Sequence, residues 1–167
     1  TAQTFAYTSR LCHNYPVCKN ISAQYFPLGD ELFPSMLEAL EQAEKYIYIE
    51  YFIISVGDMW NTILDVLERK AAEGVDVRII YDDLGSLMTL PPKYSDFLGR
   101  KGIKSVSFNP MKLFISGTLN NRDHRKILVI DGKIAFSGGI NIADEYINRI
   151  VRFGHWKDIG FRIEGPA

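Results

Sequence analysis

The sequence feature that most constrains the fold is an alternation of short apolar runs with amphipathic segments. The runs are rich in β-branched and aromatic residues, which favours strands buried inside a sheet. They lie at residues 46–54, 75–81 and 103–108. The segments that begin near Asp30, near Asp58 and at Tyr94 place apolar residues three or four positions apart, as amphipathic helices do. This alternation predicts an α/β layered sandwich with a mixed, mostly parallel sheet and helices on both faces.

The second half of the chain follows a different pattern. Strands are predicted at 125–131 and 133–137, joined at Asp131-Gly132, and Asp-Gly is a strong signal for a two-residue β-hairpin. After the hairpin, a Gly-Gly turn leads to a short helix near Asn141 and a last strand at 158–163. A chain of 167 residues is about one domain long. We therefore predict an N-terminal arm at 1–28 and a single domain at 29–167.

Composition and charge exclude several classes of function. Nineteen basic and twenty acidic residues give a net charge of −1, so no general attraction to nucleic acid is expected. Charged residues interrupt every apolar run before the 18 residues that a transmembrane helix needs, so the domain is predicted to be soluble. Cys12 and Cys18 are too few for a disulfide scaffold, and with His13 they lack a fourth zinc ligand. No metal or other cofactor is predicted.

His124 and Lys126 are the leading candidates for catalysis. They precede and enter a predicted strand at a spacing of two, so their side chains project from the same face. An imidazole can attack phosphorus or transfer a proton, and an adjacent ammonium can neutralise the phosphoryl oxygens. The pattern indicates phosphoryl chemistry, although a strand-end histidine beside a surface lysine is the structural alternative.

The Gly138-Gly139-Ile140-Asn141 turn is expected to lie beside this pair, because the hairpin brings the chain back along the same strand. Glycines allow backbone N–H groups to approach an anion closely, and an asparagine amide can donate to a phosphate oxygen. We predict that Lys126, Gly138, Gly139 and Asn141 bind phosphate.

Acidic residues at the predicted strands give two further pocket candidates. Glu50 lies in an apolar run, where an unpaired carboxylate is costly, so it is expected to pair with Lys126, to shape the pocket, or to form a structural ion pair. Asp83 follows Asp82 at the carboxyl end of the second strand, where ligand sites collect in open α/β sheets. A turn or helix cap is the structural alternative there.

The motif containing His124 and Lys126 resembles the signature of the phospholipase D superfamily. That signature reads His-x-Lys-x4-Asp-x6-Gly-Gly/Ser-x-Asn, and it is matched by His124, Lys126, Asp131, Gly138-Gly139 and Asn141. Similarity to the first phospholipase-D-type domain of bacterial cardiolipin synthases extends further. The segments that carry it are 48–52, 71–75, 82–86 and 120–126.

The resemblance implies a phospholipase-D-like fold and a phosphatidyltransferase that joins two phosphatidylglycerol molecules into cardiolipin and glycerol. A histidine would form a phospho-histidine intermediate, and a second His/Lys motif would supply the acid. Neither His13 nor His155 lies in a second copy of the full signature. The partner motif is therefore expected from a C-terminal repeat or from a homodimer partner. It remains open whether His124 is the nucleophile or the acid.

Two aspartates are candidates for assisting His124. Asp131 is the aspartate of the family motif, but strand alternation favours a structural role in the turn over direct chemistry. Asp158 occupies the place where related single-motif nucleases carry an acidic residue, and it could orient the imidazole. An ion pair of Asp158 with Lys157 or Arg152 is the alternative.

Membrane contact is expected from one cluster and one loop. Arg122, Arg125, Lys126 and Lys133, with Lys112 upstream, are predicted to form a basic region that meets anionic head groups. The 109–123 loop contains Met111, Leu113, Phe114 and Ile115, which either reach into a membrane interface or cover the core. The resemblance implies a parent protein in the bacterial cell membrane, with this domain on the cytoplasmic side. The alternatives are a homodimeric phosphodiesterase or nuclease, and an inactive lipid-docking half-domain.

Overall fold

The computed structural model describes residues 21–111 and 120–165. Its strands are β1 (Ser22–Phe26), β2 (Tyr46–Tyr51), β3 (Asp76–Asp82), β4 (Lys104–Phe108), β5 (Lys126–Ile130), β6 (Ile134–Gly138) and β7 (Gly160–Glu164). Its helices are α1 (Gly29–Glu41), α2 (Asp58–Ala72), α3 (Asp83–Ser86), α4 (Tyr94–Arg100) and a 3₁₀ helix (Asp144–Ile147). None of the helices in these two ranges is long and apolar enough to cross a bilayer.

The strands form one mixed sheet in the order β1-β7-β6-β5-β2-β3-β4. Only β2, β3 and β4 pair in parallel, because helices connect them. The other four pairings are antiparallel. The α/β architecture with a mixed sheet is confirmed, and the prediction of a mostly parallel sheet is wrong. The hairpin between β5 and β6 and the return of β7 to the edge of β6 account for the difference.

The helices lie on one face of this sheet. Alternate residues of β2, namely Ile47, Ile49 and Tyr51, are buried in the core that α1, α2 and α4 share. The indole of Trp60 in α2 donates a hydrogen bond of 2.7 Å to the hydroxyl of Tyr94 in α4, so these two helices form one layer. Within the described residues, the prediction of helices on both faces is therefore wrong.

The opposite face of the sheet, which we call the open face, carries apolar side chains. Tyr48 of β2 is 37% exposed there and stacks on Tyr46, with ring centroids 4.5 Å apart. Strand β2 lies inside the sheet as predicted, but within the described ranges only one of its faces is buried. The sequence pattern did not distinguish an apolar face that is covered from one that is available to a partner.

The predicted N-terminal arm contributes β1, which pairs with β7 and forms one edge of the sheet. Tyr25 of β1 lies opposite Phe161 of β7 in the antiparallel register. The rest of the arm, including Cys12, His13 and Cys18, lies outside the described residues.

The hairpin between β5 and β6 is confirmed. Asp131 and Gly132 have φ values of 55° and 65°, the left-handed pair typical of a type I′ turn, and the Lys133 N–H closes the turn on the Ile130 carbonyl at 3.0 Å. Because Ile130 pairs with Ile134, the loop has three residues, 131–133, and not the two that were predicted. This turn returns β6 antiparallel to β5 and brings Gly138 toward the beginning of β5.

The short helix predicted near Asn141 is a 3₁₀ helix that begins three residues later. Its first residue, Asp144, accepts hydrogen bonds of 2.9 and 2.8 Å from the backbone N–H groups of Asp58 and Met59. A carboxylate that is distant in sequence therefore caps α2.

Candidate active site

His124 and Lys126 are in direct contact at the start of β5. The Lys126 ammonium lies 3.1 Å from His124 Nδ1 and donates a hydrogen bond of 2.6 Å to the His124 carbonyl oxygen. Lys126 is 4% exposed, whereas His124 is exposed. The two-residue spacing therefore holds a buried cation behind an accessible imidazole, on the same side of the strand.

The environment of Lys126 weakens its hold on its proton. Burial lowers the pKa of the Lys126 ammonium, and the negative charges of Asp158 and Asp123 only partly offset that effect. The Phe52 ring lies beside the pair, with its centroid 5.4 Å from Nζ of Lys126 and 4.8 Å from the centroid of the His124 ring. Phe52 was not predicted as a site residue, although it follows a buried strand at its carboxyl end.

Asp82 anchors the segment that leads into His124. This residue is completely buried at the end of β3. Its carboxylate accepts hydrogen bonds from the N–H groups of Asp123, at 3.0 Å, and Gly85, at 2.9 Å. It also pairs with the Arg122 guanidinium at 3.3 Å. The bond from Gly85 caps α3, which is the structural alternative predicted for Asp82-Asp83. The anchoring of Asp123 was not predicted, and the available signal was only an acidic residue at the carboxyl end of a parallel strand.

Glu50 lies on the open face and pairs with Arg125, with 2.7 Å between Nη2 and Oε1. Arg125 also contacts Asp123 at 2.8 Å. The expected pairing with Lys126 is not found, because Lys126 lies opposite Tyr51 in the strand register and so projects from the other face. Burial, together with a hydrogen bond shared with the Asp123 carboxylate, raises the pKa of Glu50 to about 7.

Asn141 is 3% exposed, and its side-chain amide is bound to the protein itself. The side-chain oxygen, Oδ1, accepts a hydrogen bond of 3.0 Å from the backbone N–H of Ile53. Its amide nitrogen donates one of 2.9 Å to the Tyr146 hydroxyl. Asn141 thus joins the end of β2 to the 3₁₀ helix, and its contact with phosphate stays a prediction.

The two glycines that follow the hairpin are sites of close approach. A Cβ atom at Gly138 would overlap the Ile159 carbonyl oxygen, and one at Gly139 would overlap the Asp158 carboxylate. The N–H of Gly139 donates to the Ile159 carbonyl oxygen at 3.0 Å, so this donor is used within the protein. The glycines therefore let the end of β6 pass directly beside the segment that enters β7.

Asp158 is held against Gly139 and is coupled electrostatically to Lys126. Its carboxylate accepts a hydrogen bond of 2.8 Å from the N–H of Ile159. In the described part of the chain, no hydrogen bond joins Asp158 to His124. The alternative ion pair with Arg152 is also not found, since Arg152 binds Glu145 at 2.9 Å.

Asp131 lies at the far end of β5 from His124. Its carboxylate accepts hydrogen bonds of 2.8 Å from the backbone N–H groups of Glu44, Lys45 and Tyr46. Burial alone would raise the pKa of Asp131, but these three donors outweigh it and hold the pKa below its usual value. The structure thus places this aspartate in the turn and at the beginning of β2, away from the His124–Lys126 pair.

Asp83 also makes a structural contact. Its carboxylate accepts a hydrogen bond of 2.8 Å from the backbone N–H of Met111. Residues 112–119 lie outside the described ranges, and with them Lys112 and the apolar residues predicted to reach a membrane. No group of three potential metal ligands occurs among the residues that the structure describes.

The predicted basic region is not one surface. Arg122 is bound to Asp82 and Arg125 to Glu50, while Lys126 is buried. Lys133 lies in the hairpin turn at the opposite end of β5. The prediction is wrong because neighbours in sequence point to different faces and are neutralised by acidic residues from other strands.

His155 has a lysine two positions on, Lys157, but the rest of the signature is missing. Arg162 stands where the motif would place its aspartate, and both His155 and Lys157 are exposed between the 3₁₀ helix and β7. The full signature thus occurs once in the chain.

Comparison with known proteins agrees with this geometry. Residues 36–151 match the family model described as "Cardiolipin synthase, PLD-like domain". An uncharacterized protein of Streptococcus mutans is 53% identical over 92% of this chain, which spans 33% of that relative. A cardiolipin synthase of Alkalihalophilus pseudofirmus is 41% identical over 95% of this chain and 32% of its own length. The chain thus spans about a third of the curated relatives that it matches.

A solved structure shares the fold at low sequence identity. Nuc from Salmonella typhimurium, a phospholipase D family member, superimposes with a TM-score of 0.62 and 17% identity. The match covers 87% of this chain and 84% of that chain, so the two are of similar length.

Proposed function

This chain belongs to the family of phospholipase-D-like domains of cardiolipin synthases, and we propose that it forms half of a phosphatidyltransferase site. The observation that carries the proposal is the contact of the buried Lys126 ammonium with the exposed His124 imidazole. A buried cation whose protein partners are a carbonyl oxygen, a ring nitrogen and an aromatic face is best stabilised by an added anion. A phosphodiester beside His124 supplies that anion.

In the proposed reaction, a ring nitrogen of one motif histidine attacks phosphorus as the P–O bond to the leaving alcohol breaks. The second motif histidine gives its proton to that alcohol. An acceptor hydroxyl then attacks the phospho-histidine, loses its proton to the second histidine, and breaks the N–P bond. Lys126 neutralises the phosphoryl oxygens, on which negative charge increases in both steps. His124 is proposed as one of the two histidines.

The open face supports the proposal that the chain packs against a second domain. On this face, a row of residues paired from strand to strand crosses all seven strands. It includes exposed apolar side chains, among them Tyr25, 62% exposed, and Val106, 55% exposed. The row also contains Glu50 and Ser137, so the surface is mixed, and its exposed apolar side chains favour contact with a partner. The greater length of the relatives favours a C-terminal repeat as the partner, and a second copy of the chain is the alternative.

The proposed substrate is phosphatidylglycerol at a membrane surface. Two molecules would be joined into cardiolipin with release of glycerol, and the relatives named cardiolipin synthase support cardiolipin as the product. The domain would face the cytoplasmic side of the bacterial membrane.

Mass spectrometry of lipid products tests the proposal. The chain is incubated with phosphatidylglycerol in mixed micelles, and the chain itself is analysed for a covalent phosphatidyl adduct. We expect an adduct or a lipid product from the unchanged chain and none from His124→Ala. Ser105→Ala, on the edge strand β4, is the matched control and should behave like the unchanged chain. Equal product from His124→Ala would contradict the assignment.

A further inference from the structure

The segment between the 3₁₀ helix and β7, residues 149–157, presents apolar side chains to solvent. Val151 is 82% exposed, Phe153 is 71% exposed and Ile150 is 49% exposed. Single exposed apolar residues are common on proteins, but three within four positions form a patch that marks contact with an apolar phase or a partner. We call this segment the basic loop, because of the charges described below.

The two ends of the basic loop are joined by hydrogen bonds between Asn148 and Trp156, which we call the closed base. Asn148 has a left-handed backbone conformation, with φ of 55°. Its side chain binds both main-chain polar groups of Trp156. Its side-chain oxygen accepts from the Trp156 N–H at 2.7 Å, and its side-chain nitrogen donates to the Trp156 carbonyl at 3.1 Å. The indole packs on Tyr146, with ring centroids 4.6 Å apart. The exposed residues are therefore presented from a fixed base.

The charge of this segment is of one sign. Arg149, Arg152 and Lys157 are its charged residues, and no aspartate or glutamate lies between positions 149 and 157. All three are exposed, and Arg152 remains 56% exposed at its side chain while paired with Glu145. In a chain whose net charge is −1, this local surplus complements an anionic surface.

The base of the loop contacts residues of the candidate active site. Tyr146, which supports Trp156, accepts a hydrogen bond from Asn141. At the other end, Lys157 is followed directly by Asp158, which lies against Gly139. A surface bound by the loop is thus adjacent to the site that contains His124 and Lys126.

We propose that the basic loop docks the domain on an anionic lipid surface. Ile150, Val151 and Phe153 enter the boundary between head groups and acyl chains, and the basic side chains contact lipid phosphates. This inference rests on the proposed function for the location of the site, and it adds the surface through which a lipid bilayer is met. It concerns residues other than the 109–123 loop.

Vesicle co-sedimentation tests the docking surface. The chain is mixed with vesicles of equal parts phosphatidylglycerol and phosphatidylcholine, and with vesicles of phosphatidylcholine alone. We expect preferential binding to the anionic vesicles. The double variant Val151→Ser/Phe153→Ser should bind at least about tenfold more weakly, because its apolar contacts are lost. Arg149→Gln/Lys157→Gln should bind about fivefold or more weakly and with a smaller dependence on salt.

Matched controls lie elsewhere on the molecule. Met88→Ser removes an exposed apolar side chain between α3 and α4, and Lys133→Gln removes an exposed charge from the β5–β6 turn. Both should bind within about twofold of the unchanged chain. His124→Ala should also bind normally, so a failure of the proposed chemistry is distinguished from a failure of docking.

Two results would overturn the inference. One is equal binding of anionic vesicles by the unchanged chain and by Val151→Ser/Phe153→Ser. The other is a change in oligomeric state, measured by analytical ultracentrifugation, that accounts for the effect of this double variant without vesicles. In that case the loop would be a protein contact. Urea unfolding of each variant, with an unchanged midpoint, ensures that binding is compared between folded proteins.

Discussion

The Lys126 ammonium lies 3.1 Å from Nδ1 of His124, yet the ammonium is buried and the imidazole is exposed. A desolvated charge and an accessible ring are therefore adjacent on the same side of the chain at the start of β5. Desolvation strengthens electrostatic attraction between Lys126 and an incoming anion. The pair is therefore arranged for contact with a negatively charged ligand, and its properties can be tested residue by residue.

Replacing Lys126 by methionine should weaken anion binding with little effect on folding. The ammonium is already costly to bury, so its removal should change the free energy of unfolding by no more than about 1 kcal/mol. Binding of inorganic phosphate, followed by ³¹P NMR, should weaken at least about tenfold. Lys133→Met, at the other end of the strand, is the control. Retained phosphate binding in Lys126→Met would show that another group holds the anion.

Asp82→Asn should destabilise the protein and displace the segment before His124. The amide keeps the size of the carboxylate but removes the charge that pairs with Arg122, and it presents a donor to groups that are themselves donors. We expect a loss of about 2–4 kcal/mol in the free energy of unfolding, measured by urea denaturation. Asp83→Asn, the neighbouring substitution at a more exposed residue, should cost less than about 1 kcal/mol. Equal effects at the two positions would refute the special role of Asp82.

Glu50 should make stability depend on pH near neutrality. Because its pKa is about 7 in the folded protein and about 4.5 when unfolded, the folded state retains a proton that the unfolded state releases. Stability from this group is therefore complete below pH 4.5 and is lost as pH rises toward 7. Glu50→Gln should remove this loss, which is on the order of 1 kcal/mol after solvent screening.

The measurement for Glu50 is the urea midpoint at pH 5 and pH 8. The unchanged chain should lose more stability between these values than Glu50→Gln does. Glu44→Gln, which changes an exposed glutamate at the beginning of β2, should retain the pH dependence of the unchanged chain. Parallel pH profiles for the unchanged chain and Glu50→Gln would contradict the raised pKa.

Asp131→Ala should affect stability and leave the His124 site unchanged. Three backbone N–H donors lose their acceptor, at a cost of about 1–3 kcal/mol in the free energy of unfolding. Because the pKa of Asp131 is lowered in the folded state, its contribution is present above pH 3.8 and is lost as pH falls through the folded value. Phosphate binding to the folded variant should equal that of the unchanged chain. A loss of phosphate binding in the folded variant would instead indicate a role in the chemistry.

Local sequence patterns determined the elements of the fold and the central pair of the site. The period of the apolar residues located α1, α2, α4 and most strands, since it reflects which side of each element is buried. The Asp-Gly turn identified the hairpin, and the spacing of His124 and Lys126 sufficed to place them together, because strand alternation is a local property. The missed strand, β1, lies at the sheet edge, and apart from Phe26 its residues are exposed and give little pattern.

Only the tertiary structure decided what surrounds that pair. Asp82 reaches Asp123 across 41 positions, Asn141 reaches Ile53 across 88, and Asp131 reaches Tyr46 across 85. Contacts between separate elements also decide which face of the sheet the helices cover. They decide as well the ion pair of Glu50 with Arg125 and the hydrogen bonds that close the base of the basic loop. Such contacts leave no periodic trace in the sequence, because each is a single hydrogen bond or ion pair fixed by how whole strands and helices pack.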